Sequence, residues 1–224
     1  MSAPAKKRVA ILISGRGSNM TSLIEAARAA DFPAEIALVL SNRPDAAGLD
    51  AARAEKIAAV ALDHKQHDTR EKFERAMHAT LVEHGVDIVC LAGFMRLLTP
   101  WFVEQWRGKM LNIHPALLPS YKGLHTHERA LADGVKIHGC TVHLVVPDMD
   151  AGPIVAQSAV PVLDSDTPET LAARVLAREH AIYPMALRLV ASGAAGIVDG
   201  RVRGGGGASG DLTVPSATPR PSTA

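Results

Sequence analysis

The sequence predicts an α/β fold: a mostly parallel, twisted sheet flanked by helices, with an antiparallel hairpin in the C-terminal half. Three observations predict it. Short apolar runs such as VAILI at 9–13 and DIVCL at 87–91 show no polar alternation, as expected of strands buried on both faces. Each of the first four runs is followed by a segment of helical period, and such β-then-α repeats build parallel sheets through right-handed crossovers. Later the pattern changes. Two Thr- and Val-rich alternating runs, 138–146 and 154–162, flank the turn-rich PDMDAGP and read as a pair of strands.

In chain order, the first strand leads into Ser14-Gly15-Arg16-Gly17-Ser18-Asn19 and then a helix with Leu23, Ile24 and Ala27 on one side. A glycine-rich strand-to-helix turn aims backbone N–H groups and a helix N-terminus at one point, which suits a phosphate. A Walker loop would need Gly-Lys-Ser/Thr, and a dinucleotide fingerprint a third glycine where Met20 stands. A monophosphate-sized cradle is what remains, with a plain tight turn as the alternative. The second strand covers 35–40 and leaves through Ser41-Asn42-Arg43-Pro44; a helix over 45–56 and a third strand over 58–62 follow. His64 and His67 sit in the polar stretch 63–69 and read as solvated loop histidines rather than a metal pair. Asp68 or Thr69 caps a helix running to about residue 83, closed by Gly85. The fourth strand, 87–91, exits through Ala92-Gly93-Phe94 to an apolar rim, Met95-Arg96-Leu97-Leu98, before the Thr99-Pro100 helix start. Thr167-Pro168 opens the last long helix, with Leu171, Val175 and Ile182 inward and Glu179 and His180 presented. Pro184 is expected to kink or interrupt it.

The stretch LNIHPALLPSYKGLHTH at 111–127 organises the rest. Asn112 and His114 stand two apart at a strand end, so an extended backbone projects them to one side, and Pro115 stops the strand. An amide N–H donor beside a titratable imidazole suits chemistry at a carbonyl, where charge develops on oxygen. Asp148 and Asp150, on the loop between the later strands, are both candidates for the partner of His114. Ligands of parallel sheets bind at the strands' carboxyl ends, where the Gly17 loop, the 95–98 rim and the Asn112/His114 pair all fall. His125 and His127, with His138 and His143 downstream, lack the spacing of a zinc site, and no metal is expected.

Composition narrows the function. The 24 basic and 23 acidic residues nearly cancel, which argues against nucleic-acid and membrane-surface roles. No run approaches the roughly 20 apolar residues of a membrane span, and MSAPAKKR is no signal peptide. Cys90 and Cys140 fall inside strand-like runs without CxxC spacing, as reduced thiols of a cytoplasmic protein would. The expected organisation is a disordered N-terminus at 1–7 and one domain at 8–202, its nucleotide-binding half about 8–110 and its catalytic half about 111–202. A disordered Gly/Ser/Pro/Thr-rich tail at 203–224 follows.

In collinear order the blocks LISGRGSN, SNRPDAAGL, LAGFMRLL, LNIHPALLPSYKGLHTH, HGCTVH, DMDAGP and REHAIYP, spread over about 9–183, resemble the phosphoribosylglycinamide formyltransferases. The resemblance implies the Rossmann-like formyltransferase fold. It also implies transfer of a formyl group from 10-formyltetrahydrofolate to the amine of glycinamide ribonucleotide, in purine biosynthesis. Carried over residue by residue, the catalytic trio is Asn112, His114 and Asp150. The glycinamide ribonucleotide site is Gly17, Ser18 and Asn19 with Leu176, Ala177, Arg178 and Glu179. The folate site is Arg70, Met95, Arg96, Leu97, Leu98, Asn112, Val146, Pro147, Asp148, Met149 and Asp150. Folate is then a co-substrate, with no tightly bound cofactor, no metal and only small-molecule partners, in a monomer or homodimer.

In the implied mechanism the Asn112 amide and protonated His114 donate to the oxyanion, and Asp150 orients the imidazole and favours its charged form. Related readings are weaker on the residues. Methionyl-tRNA formyltransferase would add a basic C-terminal domain, and formyltetrahydrofolate deformylase an N-terminal regulatory domain. A non-catalytic nucleotide-binding module would have no use for Asn112, His114 and Asp150 together.

Overall fold

The computed structural model describes residues 5–204. Five strands alternate with four helices: β1 (Lys7–Ile13), α1 (Ser18–Ala27), β2 (Ala34–Ser41), α2 (Ala47–Ala54), β3 (Ala58–Ala61), α3 (Arg70–Glu83), β4 (Ile88–Leu91), α4 (Pro100–Gln105) and β5 (Met110–His114). Then come α5 (Thr126–Ala132), β6 (Ile137–Leu144), β7 (Ile154–Pro161), α6 (Pro168–Ala191), β8 (Ala195–Val198) and β9 (Arg201–Gly204). One seven-stranded sheet runs in the order β3-β2-β1-β4-β5-β6-β7. Neighbours from β3 to β5 are parallel, whereas β6 pairs antiparallel with both β5 and β7.

The unbroken apolar run of β1 has a direct cause: the strand feeds two cores. Val9, Ile11 and Ile13 face one, filled by Met20, Leu23 and Ile24 of α1 and by Leu171, Val175 and Leu187 of α6. Ala10 and Leu12 face the other, with Phe73, Met77 and Leu81 of α3, Phe102 of α4 and Trp106 just after it. A central strand covered by helices on both faces cannot alternate with polar residues. Tyr183 ties α6 to the sheet, its buried hydroxyl donating to the carbonyls of Leu91 (3.0 Å) and Leu111 (3.2 Å).

Several sequence expectations need correction. Helix α6 runs through Pro184 without interruption, which removes one of the two outcomes expected there. The proline removes a single N–H, the one that would serve the His180 carbonyl, while buried Ile182, Tyr183, Ala186 and Leu187 hold the helix on both sides. Helix α5 was not anticipated. It has seven residues, and its N-cap, His125, offers no side-chain cap, so the usual start signal is missing. The β8–β9 hairpin was also unread, although Asp199-Gly200, both with positive φ, is a strong hairpin signal between IV and RV. Structure therefore begins at Lys7 and extends to Gly204, inside the segments 1–7 and 203–224 expected to lack it. Residues 1–4 and 205–224 lie outside the described residues. Among the described residues no helix is long and apolar enough to cross a membrane.

Cys90 and Cys140 are free and buried, and burial pushes both thiols up to about 12. A thiol held protonated in this way is a core group, not a nucleophile.

Candidate active site

Strand β5 ends in Asn112 and His114, which share the Met110 face of the sheet just past the end of the second core. His114 is 5 % exposed, and its two ring nitrogens have different partners. Nε2 lies 2.9 Å from the Tyr121 carbonyl oxygen, which can only accept, so Nε2 carries a proton. Nδ1 lies 3.5 Å from Oδ2 of Asp150. That carboxylate also accepts the Gly123 backbone N–H at 2.8 Å, so Asp150 joins the loop after β5 to the loop after β6. Asp148, the other candidate, is exposed.

Asp150 reaches inward because its loop closes tightly. Its φ is +50°, a left-handed conformation that Asp tolerates better than most side chains. Two residues on, a Cβ on Gly152 would stand 1.7 Å from the Leu144 oxygen, so only glycine lets the chain turn back there.

The structure adds a residue that sequence reasoning saw only as a possible metal ligand. His143 of β6 stands directly opposite Asn112 across the antiparallel pair. Its Nδ1 is 3.0 Å from the Leu144 carbonyl oxygen and must donate, leaving Nε2 as an acceptor for the Asn112 amide N–H at 3.1 Å. Burial lowers the His143 pKa, against the opposing bond to Leu144, which favours this neutral tautomer. The Asn112 amide is thereby held nitrogen-first, with one N–H used by His143 and one left over. The sequence signal was faint: a histidine in a Thr- and Val-rich strand, whose partner only the register reveals.

The loop 14–19 does join β1 to α1, with Gly17 as the N-cap at φ +75°. Asn19 donates to Oε2 of Glu179 at 2.7 Å, so two residues 160 apart in sequence meet beside the loop. Burial raises the Glu179 pKa, partly opposed by that bond. Of the other α6 candidates, Leu176 is half-buried, while Ala177 and Arg178 are exposed. A cavity of about 400 Å³ opens at this loop, lined also by Asn42, Arg43, His64, Gly93, Met95 and Arg96. The Asn112/His114/Asp150 group does not line it. It sits on the β5 side, past the residues that follow β4.

The rim candidates differ in exposure. Met95 is 73 % exposed and Leu97 60 %, whereas Leu98 packs against the second core. Leu124 and Met149 are also exposed, at 71 % and 53 %, and a Cβ on Gly123 would sit 3.6 Å from the Met149 methyl. Large apolar side chains left open at a sheet's carboxyl end mark a ligand surface. Arg70 is the exposed first residue of α3; Val146 is half-buried and Pro147 exposed.

Half-buried His127 and buried His138 pack together beside the site. His127 and His138 meet edge to face with centroids 5.2 Å apart, and Tyr121 packs on His138 at 5.7 Å. Among the described residues no group of three or more His, Cys, Asp or Glu is arranged to hold a metal. Burial lowers the pKa of His127 and pushes His138 down to about 4. With His143, three imidazoles are therefore neutral when folded, yet in the unfolded chain they take up protons below about pH 6.5. Stability should rise with pH through that window, Glu179 acting the other way as one group against three. Urea midpoints should climb from pH 5 to pH 7 and then level off; a midpoint constant over that range would refute the assignment.

Known proteins resemble this chain over most of its length. The model of a formyl transferase family matches residues 7–187. The phosphoribosylglycinamide formyltransferase of Escherichia coli is 43% identical over 185 residues, 83% of this chain and 87% of that protein. The human trifunctional purine biosynthetic protein adenosine-3 is 53% identical over 188 residues, 84% of this chain but 19% of that one, so the chain spans about a fifth of this longer relative. Among solved structures, phosphoribosylglycinamide formyltransferase from Brucella melitensis superposes with a TM-score of 0.81 at 53% identity, covering 86% of this chain and 98% of that one. Glycinamide ribonucleotide transformylase 1 from Symbiobacterium toebii gives a TM-score of 0.86 at 44% identity, covering 89% and 94%. The match is continuous across the sheet, the loops and the site: the chain belongs to the formyl transferase family, among its phosphoribosylglycinamide formyltransferases.

Proposed function

We propose that the protein transfers the formyl group of 10-formyltetrahydrofolate to the primary amine of glycinamide ribonucleotide. The products are formylglycinamide ribonucleotide and tetrahydrofolate, a step of purine biosynthesis in the cytoplasm. Folate is a co-substrate, and neither metal nor bound cofactor takes part. The observation that carries the reading is the paired arrangement of donors: Asn112 oriented by His143, and His114 held between Asp150 and the Tyr121 carbonyl.

The amine attacks the formyl carbon and the carbonyl oxygen becomes an oxyanion. The free Asn112 N–H and the His114 Nε2–H donate to that oxygen, the latter exchanging the Tyr121 carbonyl for the substrate's. The amine sheds a proton, the tetrahedral carbon collapses, and the folate nitrogen leaves with a proton. Asp150, 3.5 Å from Nδ1, orients the imidazole. Asn112 and Asp150 also border the folate, whose ring and benzoyl group lie on Met95, Arg96, Leu97, Leu98 and the 146–149 loop, with Arg70 facing its acidic end. Gly17, Ser18 and Asn19 cradle the ribose phosphate, and Glu179, beside Asn19, takes up the ribose with Leu176, Ala177 and Arg178 around it.

Purified protein given both substrates should form formylglycinamide ribonucleotide; release of formate without the acceptor would instead indicate a hydrolase. A narrower test concerns the cradle. A Cβ at Gly17 would lie 3.2 Å from Met20, and the φ of +75° disfavours any side chain. Such a conformation costs an L-residue about 1–2 kcal/mol, so Gly17→Val should raise KM for the nucleotide roughly tenfold. KM for folate should move far less, and equal shifts in both would remove the phosphate from this loop.

A further inference from the structure

We propose that Ser14 and Glu74 are positioning residues for the formyl donor: from opposite ends, their buried side chains fix the shape of the 95–98 rim. The inference rests on the formyl-transfer reading and adds to it two residues that act through the rim.

The rim has little to hold it by itself. It lies between β4 and α4 and belongs to neither. From Phe94 to Leu98 the chain makes no backbone–backbone hydrogen bond among the described residues. Met95 and Leu97 are mostly exposed, so packing holds neither of them. A segment with so few contacts opens readily unless groups outside it select one conformation.

Both ends are held by polar side chains from elsewhere in the chain. At the first end the Met95 N–H donates to Ser14 Oγ at 2.8 Å. The Ser14 hydroxyl in turn donates to Oδ1 of Asn42 at 2.6 Å, in a buried contact. The Ser14 N–H donates to the Gly93 carbonyl oxygen at 3.2 Å, so one residue bonds this end twice. At the other end stands Glu74, buried in α3. One of its carboxylate oxygens accepts the Thr99 N–H at 2.9 Å and the other accepts the Thr99 hydroxyl. Burying a carboxylate is costly unless it is hydrogen-bonded, and here both oxygens are engaged by the residue that ends the rim. Exposed apolar side chains between two such anchors add little to the fold. A ligand surface, by contrast, has to be held to within about 0.5 Å.

The test measures kcat, KM for each substrate and melting temperature in Ser14→Ala, Glu74→Ala and Glu74→Gln. Ser14→Ala releases the Met95 end and Glu74→Ala the Thr99 end, so each should raise KM for 10-formyltetrahydrofolate roughly tenfold. Their kcat should fall too, by up to about 10²-fold, since a donor seated about 1 Å out of place reacts slowly. The nucleotide loop has its own anchor, the Gly15 carbonyl oxygen accepting the Gly48 N–H at 3.1 Å. Nucleotide KM should therefore stay within about twofold. Glu74→Gln keeps an acceptor for the Thr99 N–H and a donor for the Thr99 hydroxyl oxygen, so its donor KM should stay near that of the wild type. A purely structural role would lower the melting temperature and leave both KM values of the folded protein in place; that result overturns the proposal. So does a joint rise of the two KM values, or a Glu74→Gln variant as impaired as Glu74→Ala. Ser14→Ala removes a single oxygen and carries the test even if Glu74→Ala does not fold. A wild type that transfers no formyl group would remove the reaction itself, and the proposal with it.

Discussion

His114→Ala should lower kcat for formyl transfer by about 10²–10⁴-fold, the range of a positioned acid–base group. The variant should stay folded but lose about 1–3 kcal/mol, because the Tyr121 carbonyl and Asp150 each lose a partner in a buried site. Circular dichroism and urea titration would separate that loss from the catalytic one. Asp150→Asn keeps the shape and removes the charge beside Nδ1, so kcat should fall while the Gly123 N–H keeps an acceptor. Asp148→Asn is the internal control: that side chain is exposed, and its loss should leave kcat within about twofold, the effect of a surface change under 0.5 kcal/mol. If Asp148→Asn is the more damaging change, the carboxylate has been misassigned.

Asn112→Ala should cost about 10²–10³ in kcat with little change in either KM, as removal of one oxyanion donor does. His143 provides the second half of that experiment. Its Nε2 fixes which end of the Asn112 amide points to His143, so His143→Phe keeps a ring of similar shape and removes the acceptor. The amide is then free to rotate, and kcat should fall by about tenfold, the worth of one neutral hydrogen bond of ~1.4 kcal/mol. Double replacement of Asn112 and His143 should cost little more than Asn112→Ala alone, because the His143 Nε2 hydrogen bond goes to the amide, with Asp150 Oδ1 beyond hydrogen-bond reach at 3.8 Å. Additive losses would show a separate role for His143. Steady-state kinetics with both substrates varied gives each of these numbers.

Local rules carried a large part of the architecture. Thr167 caps its helix through the side-chain oxygen, as the sequence predicts; Thr69 rather than Asp68 caps α3, and Thr99 caps the helix expected to start at Thr99-Pro100. The five parallel strands were readable because an unalternating apolar run has only one comfortable place in a soluble α/β protein, between two layers of helices. Where local signals were weak, the reading failed. Seven residues of α5 lack a capping side chain, and the continuity of α6 across Pro184 depends on contacts from other elements.

Within the site, the division follows the range of the interactions. A strand's two-residue period put Asn112 and His114 on one face, and the glycine-rich turn after β1 announced a cradle; both are properties of a few consecutive residues. Loop position left Asp148 and Asp150 level, and only the family resemblance named Asp150. Asp150 is selected by a positive φ and by the 1.7 Å approach that only Gly152 permits, which depend on how the loop packs against β6. His143 meets Asn112 only because β6 runs antiparallel to β5 in one particular register, and a slip of one residue would turn it to the other face. Asn19 and Glu179, 160 residues apart, meet only when α1 and α6 pack on the same side of the sheet. Sequence by itself determined the strands, the turn and the residue types able to do carbonyl chemistry, because those follow from local stereochemistry and burial. Tertiary structure gave the physical reason that Asp150 faces His114, and alone decided which imidazole orients Asn112, because hydrogen bonds act over about 3 Å and only the folded sheet brings distant residues that close.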